Sequence, residues 1–77
     1  MSGNEINAIC ENASKAFVYQ KGRLRFGQAL FNAADEYVKA PGTQMNVENF
    51  EALRGSPVDC FYQDANVSAF LQALEEI

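Results

Sequence analysis

The stretch Arg23-Leu24-Arg25-Phe26-Gly27-Gln28-Ala29-Leu30-Phe31-Asn32-Ala33-Ala34-Asp35-Glu36-Tyr37-Val38-Lys39 decides the fold. Its apolar residues, Leu24, Phe26, Ala29, Leu30, Phe31, Ala33, Ala34, Tyr37 and Val38, recur at helical spacing and leave only a narrow polar stripe through Arg25, Gln28, Asn32, Asp35, Glu36 and Lys39. A helix apolar over most of its circumference needs neighbours on more than one side, so this one is expected to be central or to share a side with another chain. Gly27 lets such a neighbour come close. Ala40-Pro41-Gly42-Thr43 then breaks the pattern with a Pro-Gly turn.

Working outward, Ser2 with Glu5 forms a capping-box signature ahead of Ile6, Ile9, Cys10, Ala13 and Phe17, which predicts a first helix to about Phe17. Between the two helices, Phe17-Val18-Tyr19-Gln20 and Arg23-Leu24-Arg25-Phe26 flank Lys21-Gly22. This can be read as a small β-hairpin or as a helix stopped at Gly22, and the second reading fits better because an isolated hairpin is marginal in water. Downstream, Asn46 is placed to cap a short helix over Val47–Arg54, with Met45 and Phe50 as a hydrophobic staple and Gly55 as its stop. Ser56-Pro57-Val58-Asp59 reads as the start of one or two further helical turns near residues 57–62. Asn66 is placed to cap a terminal helix carrying the stripe Val67, Phe70, Leu71, Leu74 and Ile77. The expectation is an all-α fold in one domain, residues 1–77, with three to four short helices plus a helical turn around one small core. The second helix is central, Ile9, Leu30, Phe31, Phe50, Phe70 and Leu74 share the interior, and the radius of gyration is about 11–12 Å.

The composition, 48% apolar and 21% charged over 77 residues, is that of an ordinary globular chain able to build one modest core. The absence of histidine removes Ser-His-Asp and Cys-His nucleophile systems and every zinc site that uses imidazole. Cys10 and Cys60 lie fifty positions apart without a C-x-x-C pair, so they read as separate, buried thiols, with a disulfide open only in an oxidising compartment. No apolar run approaches the roughly twenty residues that span a bilayer, and the first residues lack a basic and apolar leader pattern. A cytoplasmic location is therefore expected.

Catalytic constellations are thin. Asp35 with Glu36, and Glu75 with Glu76, are helix neighbours about 100° apart and do not converge on one point. Asp59 and Asp64 lack the ligand spacing of a calcium loop, and capping explains both; Gly22 and Gly27 make no phosphate-cradling loop. No catalytic residue, cofactor or metal site is assigned, and a non-enzymatic role is expected. Charge is divided unevenly. Residues 1–42 carry Lys15, Lys21, Arg23, Arg25 and Lys39 against Glu5, Glu11, Asp35 and Glu36, a net +1; residues 43–77 carry Arg54 against Glu48, Glu51, Asp59, Asp64, Glu75 and Glu76, a net −5. This asymmetry suits either solvated helix faces or docking of a charged partner or a second copy. The segment Tyr19–Phe26 interleaves three cations with two aromatics, as strand-binding surfaces do, although an overall charge of −4 opposes approach to a polyanion.

The segments Arg25-Phe26-Gly27-Gln28-Ala29-Leu30-Phe31-Asn32-Ala33, Leu53-Arg54-Gly55-Ser56, Asp59, Phe61-Tyr62-Gln63-Asp64 and Ala69-Phe70-Leu71 together resemble a pattern in small phage and prophage-type proteins, over roughly residues 23–74. In such relatives proline is expected where Cys60 stands. The resemblance implies context and no catalytic residue: an accessory protein that binds, and modulates or inhibits, a protein complex. The leading expectation is thus a non-catalytic protein-interaction module, with nucleic-acid binding through Lys21, Arg23 and Arg25 as the alternative. The candidate partner-binding residues are Arg23, Arg25, Ala33, Tyr37, Phe61 and Tyr62. A homodimer through the apolar surplus of the second helix, with Ala33 outward, is a further expectation.

Overall fold

A computed structural model describes residues 1–42 and 46–77. Its elements are α1 (Gly3–Tyr19), α2 (Phe26–Lys39), α3 (Val47–Glu51), a 3-10 turn (Asp64–Asn66) and α4 (Val67–Glu75), with no strand among the described residues. The Cα radius of gyration is 11.5 Å, as expected for a single small domain.

Helix α1 starts as the sequence dictates. The Ser2 hydroxyl accepts from the Glu5 amide at 3.2 Å while the Glu5 carboxylate accepts from the Ser2 amide at 2.9 Å, which satisfies two orphan donors reciprocally. It runs two residues past the expected Phe17. Gln20 to Arg23 then close a tight turn, with the Arg23 amide donating to the Gln20 carbonyl at 3.1 Å and both central residues left-handed (Lys21 φ 51°, Gly22 φ 87°). Two successive positive φ values are the signature of the turn a hairpin would use, yet no strand flanks it: α1 runs into the turn and Arg23 to Arg25 lead without helix or strand into α2, which starts at Phe26 rather than the expected Arg23.

Helix α2 is central, packed chiefly on α1 and also touching α3 and the 3-10 turn. Ala29, Leu30, Phe31, Ala34 and Val38 are buried, together with Ile9 and Ala13 of α1, Phe50 of α3, Cys60, and Phe70 and Leu74 of α4. All six expected core residues are in this cluster. Phe31 is its hub, with ring centroids 5.3 Å from Phe50 and 5.4 Å from Phe70, and Phe50 and Phe70 lie 6.3 Å apart. Helix α2 leaves no large apolar side chain exposed, so its surplus is enclosed by its own chain.

The chain between α3 and α4 departs from expectation. Residues 57–62 form turns, and the helical turn falls later, at Asp64–Asn66. The reason is that Asp59, expected as an N3 acid, organises a loop instead: its carboxylate accepts from the Gly55 amide at 2.6 Å and the Phe61 amide at 2.8 Å. Asn66 makes no side-chain cap on α4; its side-chain Nδ2 donates to the Asp59 carbonyl at 2.9 Å. Asn46 does cap α3, accepting from the Asn49 amide at 3.2 Å, whereas the Met45 half of the staple lies outside the described residues. Helix α3 ends at Glu51 and turns carry the chain to Gly55.

The loop is drawn onto the start of α2. Arg25 occupies the cap position without a capping side-chain bond, and the missing acceptor comes from Asp64, whose Oδ1 takes the Gly27 amide at 2.9 Å. Cys60 Sγ donates to the Gly27 carbonyl at 3.2 Å. An acid at a helix N-terminus is favourable wherever in the chain it originates.

Candidate functional site

The six candidate residues separate into two groups. Arg25, Phe61 and Tyr62 meet at one corner: Arg25 Nη2 donates to the Phe61 carbonyl at 3.0 Å, and the Phe61 and Tyr62 rings stand 4.7 Å apart, edge to face. Phe61 is half-buried with its ring 5.9 Å from Phe31, while Tyr62 is 77% exposed. The pair expected as one aromatic feature is therefore an anchor and an open ring. Arg23 lies exposed in the turn between α1 and α2.

Ala33 and Tyr37 serve the fold. Ala33 is half-buried, lining a small hollow of about 220 Å3 with Asn12 and Ala16 of α1, so it is not on the open face expected of it. Tyr37 donates its hydroxyl to Glu5 Oε2 at 3.0 Å. This contact raises the phenol, because ionising it would forfeit the hydrogen bond to the Glu5 carboxylate, and it helps the Ser2 amide hold the Glu5 carboxyl low.

Besides Tyr62, a second exposed apolar surface lies at the C-terminal end of α1. Val18 is 72% exposed and Tyr19 82%. Both line two adjoining hollows, one shared with Ser14 and Lys15 and the other with Gln20, Lys21 and Arg23, so they stand as a ridge between them. The geometry of α1 explains this: Ala13 and Phe17 continue the stripe that meets α2, and the next two residues are carried about 100° and 200° round the helix. Phe17 itself packs edge-on to Phe26 with centroids 5.8 Å apart. Sequence reading picks out Tyr19 only as an aromatic among the cations Lys21, Arg23 and Arg25 and misses Val18 and the ridge the two form, because it ends the helix at Phe17. Extending the wheel by two residues exposes them as apolar side chains off the stripe.

The cations divide the same way. Lys39 and Arg54 are engaged in an exposed network that clamps α3 over α2: Lys39 Nζ lies 2.8 Å from Asp35 and 2.7 Å from Glu51, and Arg54 lies 2.9 Å from Glu51 and 3.4 Å from Asp35. These two cations pull the Glu51 carboxyl down to about 2, with Arg54 the larger influence. Arg54 also lies over the Phe31 ring, 4.9 Å from its centroid. Among the described residues, Lys15, Lys21, Arg23 and Arg25 make no ion pair. The end of the molecule that exposes Val18 and Tyr19 is thus also the end with uncompensated positive charge.

A further concavity, of about 460 Å3, opens between α3 and α4 and is lined by Asn49, Leu53, Val58, Ala69, Gln72, Ala73, Glu76 and Ile77. Cys60 is fully buried and Cys10 half-buried, both free, and desolvation raises both thiols, Cys60 to about 11. Among the described residues, no group of three or more His, Cys, Asp or Glu side chains is gathered as a metal site would require, and no helix is long and apolar enough to cross a membrane. Comparison with family models, with curated proteins and with solved structures finds no match for this chain.

Proposed function

We propose that the chain is a non-catalytic protein-interaction module that binds through the α1 tip. The observation that carries this reading is the exposed Val18–Tyr19 ridge set among the unpaired cations Lys15, Lys21 and Arg23. Tyrosine and arginine are over-represented where proteins bind one another, because each offers apolar area with a polar end. The partner is a protein surface with an apolar groove and acidic margins, since opposite charge steers encounter and fixes orientation. The resemblance of residues 23–74 to small phage-type proteins supports an accessory role of this kind.

Tyr19 beside Lys21 and Arg23 also favours a second reading, stacking of a single-stranded nucleic acid. Against it, Arg25 is already committed to the Phe61 carbonyl, which leaves few cations to track a backbone. Affinity capture with the wild-type chain and with a Val18→Asn, Tyr19→Asn variant, with and without nuclease, separates the two. The protein-binding reading expects a nuclease-resistant partner that, once purified, binds the wild type in titration and binds the variant at least tenfold more weakly. Equal binding by both chains overturns it. Loss of capture on nuclease treatment, with a fluorescent single-stranded oligonucleotide retained by the wild type alone, moves the assignment to nucleic acid.

A further inference from the structure

The Val18–Tyr19 ridge and the α3–α4 groove cannot meet within one chain. The Met1 ammonium donates to the Glu75 carbonyl at 3.3 Å, so the C-terminal end of α4 lies beside the start of α1. The Val18–Tyr19 ridge is at the other end of α1, about 24 Å away at 1.5 Å per residue, on a molecule whose longest extent is 32 Å. Ridge and groove therefore lie toward opposite ends.

Their chemistry matches. The ridge is apolar with Lys15, Lys21 and Arg23 around it. The α3–α4 groove has an apolar floor of Leu53, Val58, Ala69, Ala73 and Ile77, with Glu76 at its lip. Its volume falls in the range that accommodates a cluster of side chains. Among the described residues, Glu76 at this lip makes no ion pair. Of Ser56 to Asp64 only Val58 reaches the groove wall, because the loop is held on the start of α2 by Cys60 and Asp64.

We infer that a second copy of this chain occupies the groove, its Val18–Tyr19 ridge entering between α3 and α4 in a head-to-tail contact. The inference rests on the tip being a binding surface and names its partner as the chain itself. In this head-to-tail arrangement each copy that fills a groove presents an empty one, and association continues into rings or open chains; reciprocal seating of both ridges about a two-fold axis would instead stop at a closed dimer. A net charge of −4 opposes association of copies in general, and this orientation is the one that sets the positive end against the negative half.

The test uses two folded variants with substitutions confined to exposed positions. Val18→Asn with Tyr19→Asn removes the ridge, and Gln72→Lys with Glu76→Lys reverses the groove's charge. Sedimentation equilibrium of the wild type should show a weight-average mass that rises with concentration past the dimer and falls when salt is raised from about 0.05 M to 0.5 M, as exposed charges are screened. Each variant alone should remain monomeric, with unchanged circular dichroism. Mixed in equal amounts, they should form a dimer and stop there, since only one intact ridge and one intact groove are left. A monomeric wild type across a hundredfold range of concentration overturns the inference, as does a mixture that fails to dimerise or a wild type that stops at a closed dimer. If copies stay monomeric while the ridge variant loses a purified partner, the binding tip stands and self-association falls.

Discussion

Replacing Gly27 by alanine should destabilise the fold, although Gly27 lies in the first turn of α2 with no positive φ and helix propensity alone predicts a gain of about 0.5–1 kcal/mol. The opposing effect is steric. A Cβ built on Gly27 penetrates the Cys60 carbonyl oxygen and comes within 2.8 Å of Asp64 Oδ1 and 3.2 Å of the Cys60 carbonyl carbon. Two of these three atoms are backbone, so the loop must move away. Moving it breaks the Asp64 bond to the Gly27 amide, a charge-assisted contact worth about 1.5–3 kcal/mol. It also loosens the Cys60 thiol contact and the packing of Phe61 on Phe31, for which an overpacking cost of about 1–3 kcal/mol is appropriate. After subtracting the propensity gain, the net loss spans about 1.5–5.5 kcal/mol, centred near 3–4, against a total stability of about 4–12 kcal/mol for a chain of this length. Urea unfolding followed by circular dichroism reads this as a lowered midpoint, and thermal melting as a drop of roughly 10–30 °C. Asp64→Ala, which removes the bond without the clash, should lose less. A Gly27→Ala chain with a midpoint equal to or above the wild type refutes the close-approach reasoning.

Phe70→Ala and Leu30→Ala each empty part of the fully buried cluster and should cost about 2–5 kcal/mol; wild-type melting of both variants rejects the packing described. Cys60 should resist a soluble disulfide reagent at pH 8 until the chain unfolds, while half-buried Cys10 reacts first; equal rates for Cys10→Ser and Cys60→Ser variants contradict this. Glu51, held near 2 against an unfolded value of 4.5, contributes stability that is complete above pH 4.5 and lost as pH falls toward 2, so Glu51→Gln should flatten the acid limb of the pH–stability curve. Tyr37 has the opposite sign: its raised phenol keeps its contribution below pH 10 and loses it above, so Tyr37→Phe should reduce the alkaline dependence of melting.

Local patterns in the sequence were sufficient for the helices and for most of their interior. The reciprocal Ser2–Glu5 cap, the broad apolar face of α2 and the Val67–Ile77 stripe are all written within a few turns of chain, where side-chain periodicity and amide satisfaction act without help from elsewhere. The centrality of α2 was legible for the same reason, because so little of its circumference is polar. What tertiary structure decided were the places where a residue serves a distant segment. Asp59 and Asn66 look like caps for their own helices, yet Asp59 folds a loop and Asn66 binds that loop's carbonyl. Asp64 completes the N-terminus of α2 from 37 positions away, which no local window contains. Ala33 and Tyr37 look like surplus apolar surface on α2, until α1 covers the one and Glu5 takes the hydroxyl of the other. The open ridge at Val18 and Tyr19 follows from the converse: the last turn of α1 carries those apolar side chains off the stripe that meets α2, where nothing of their own chain covers them.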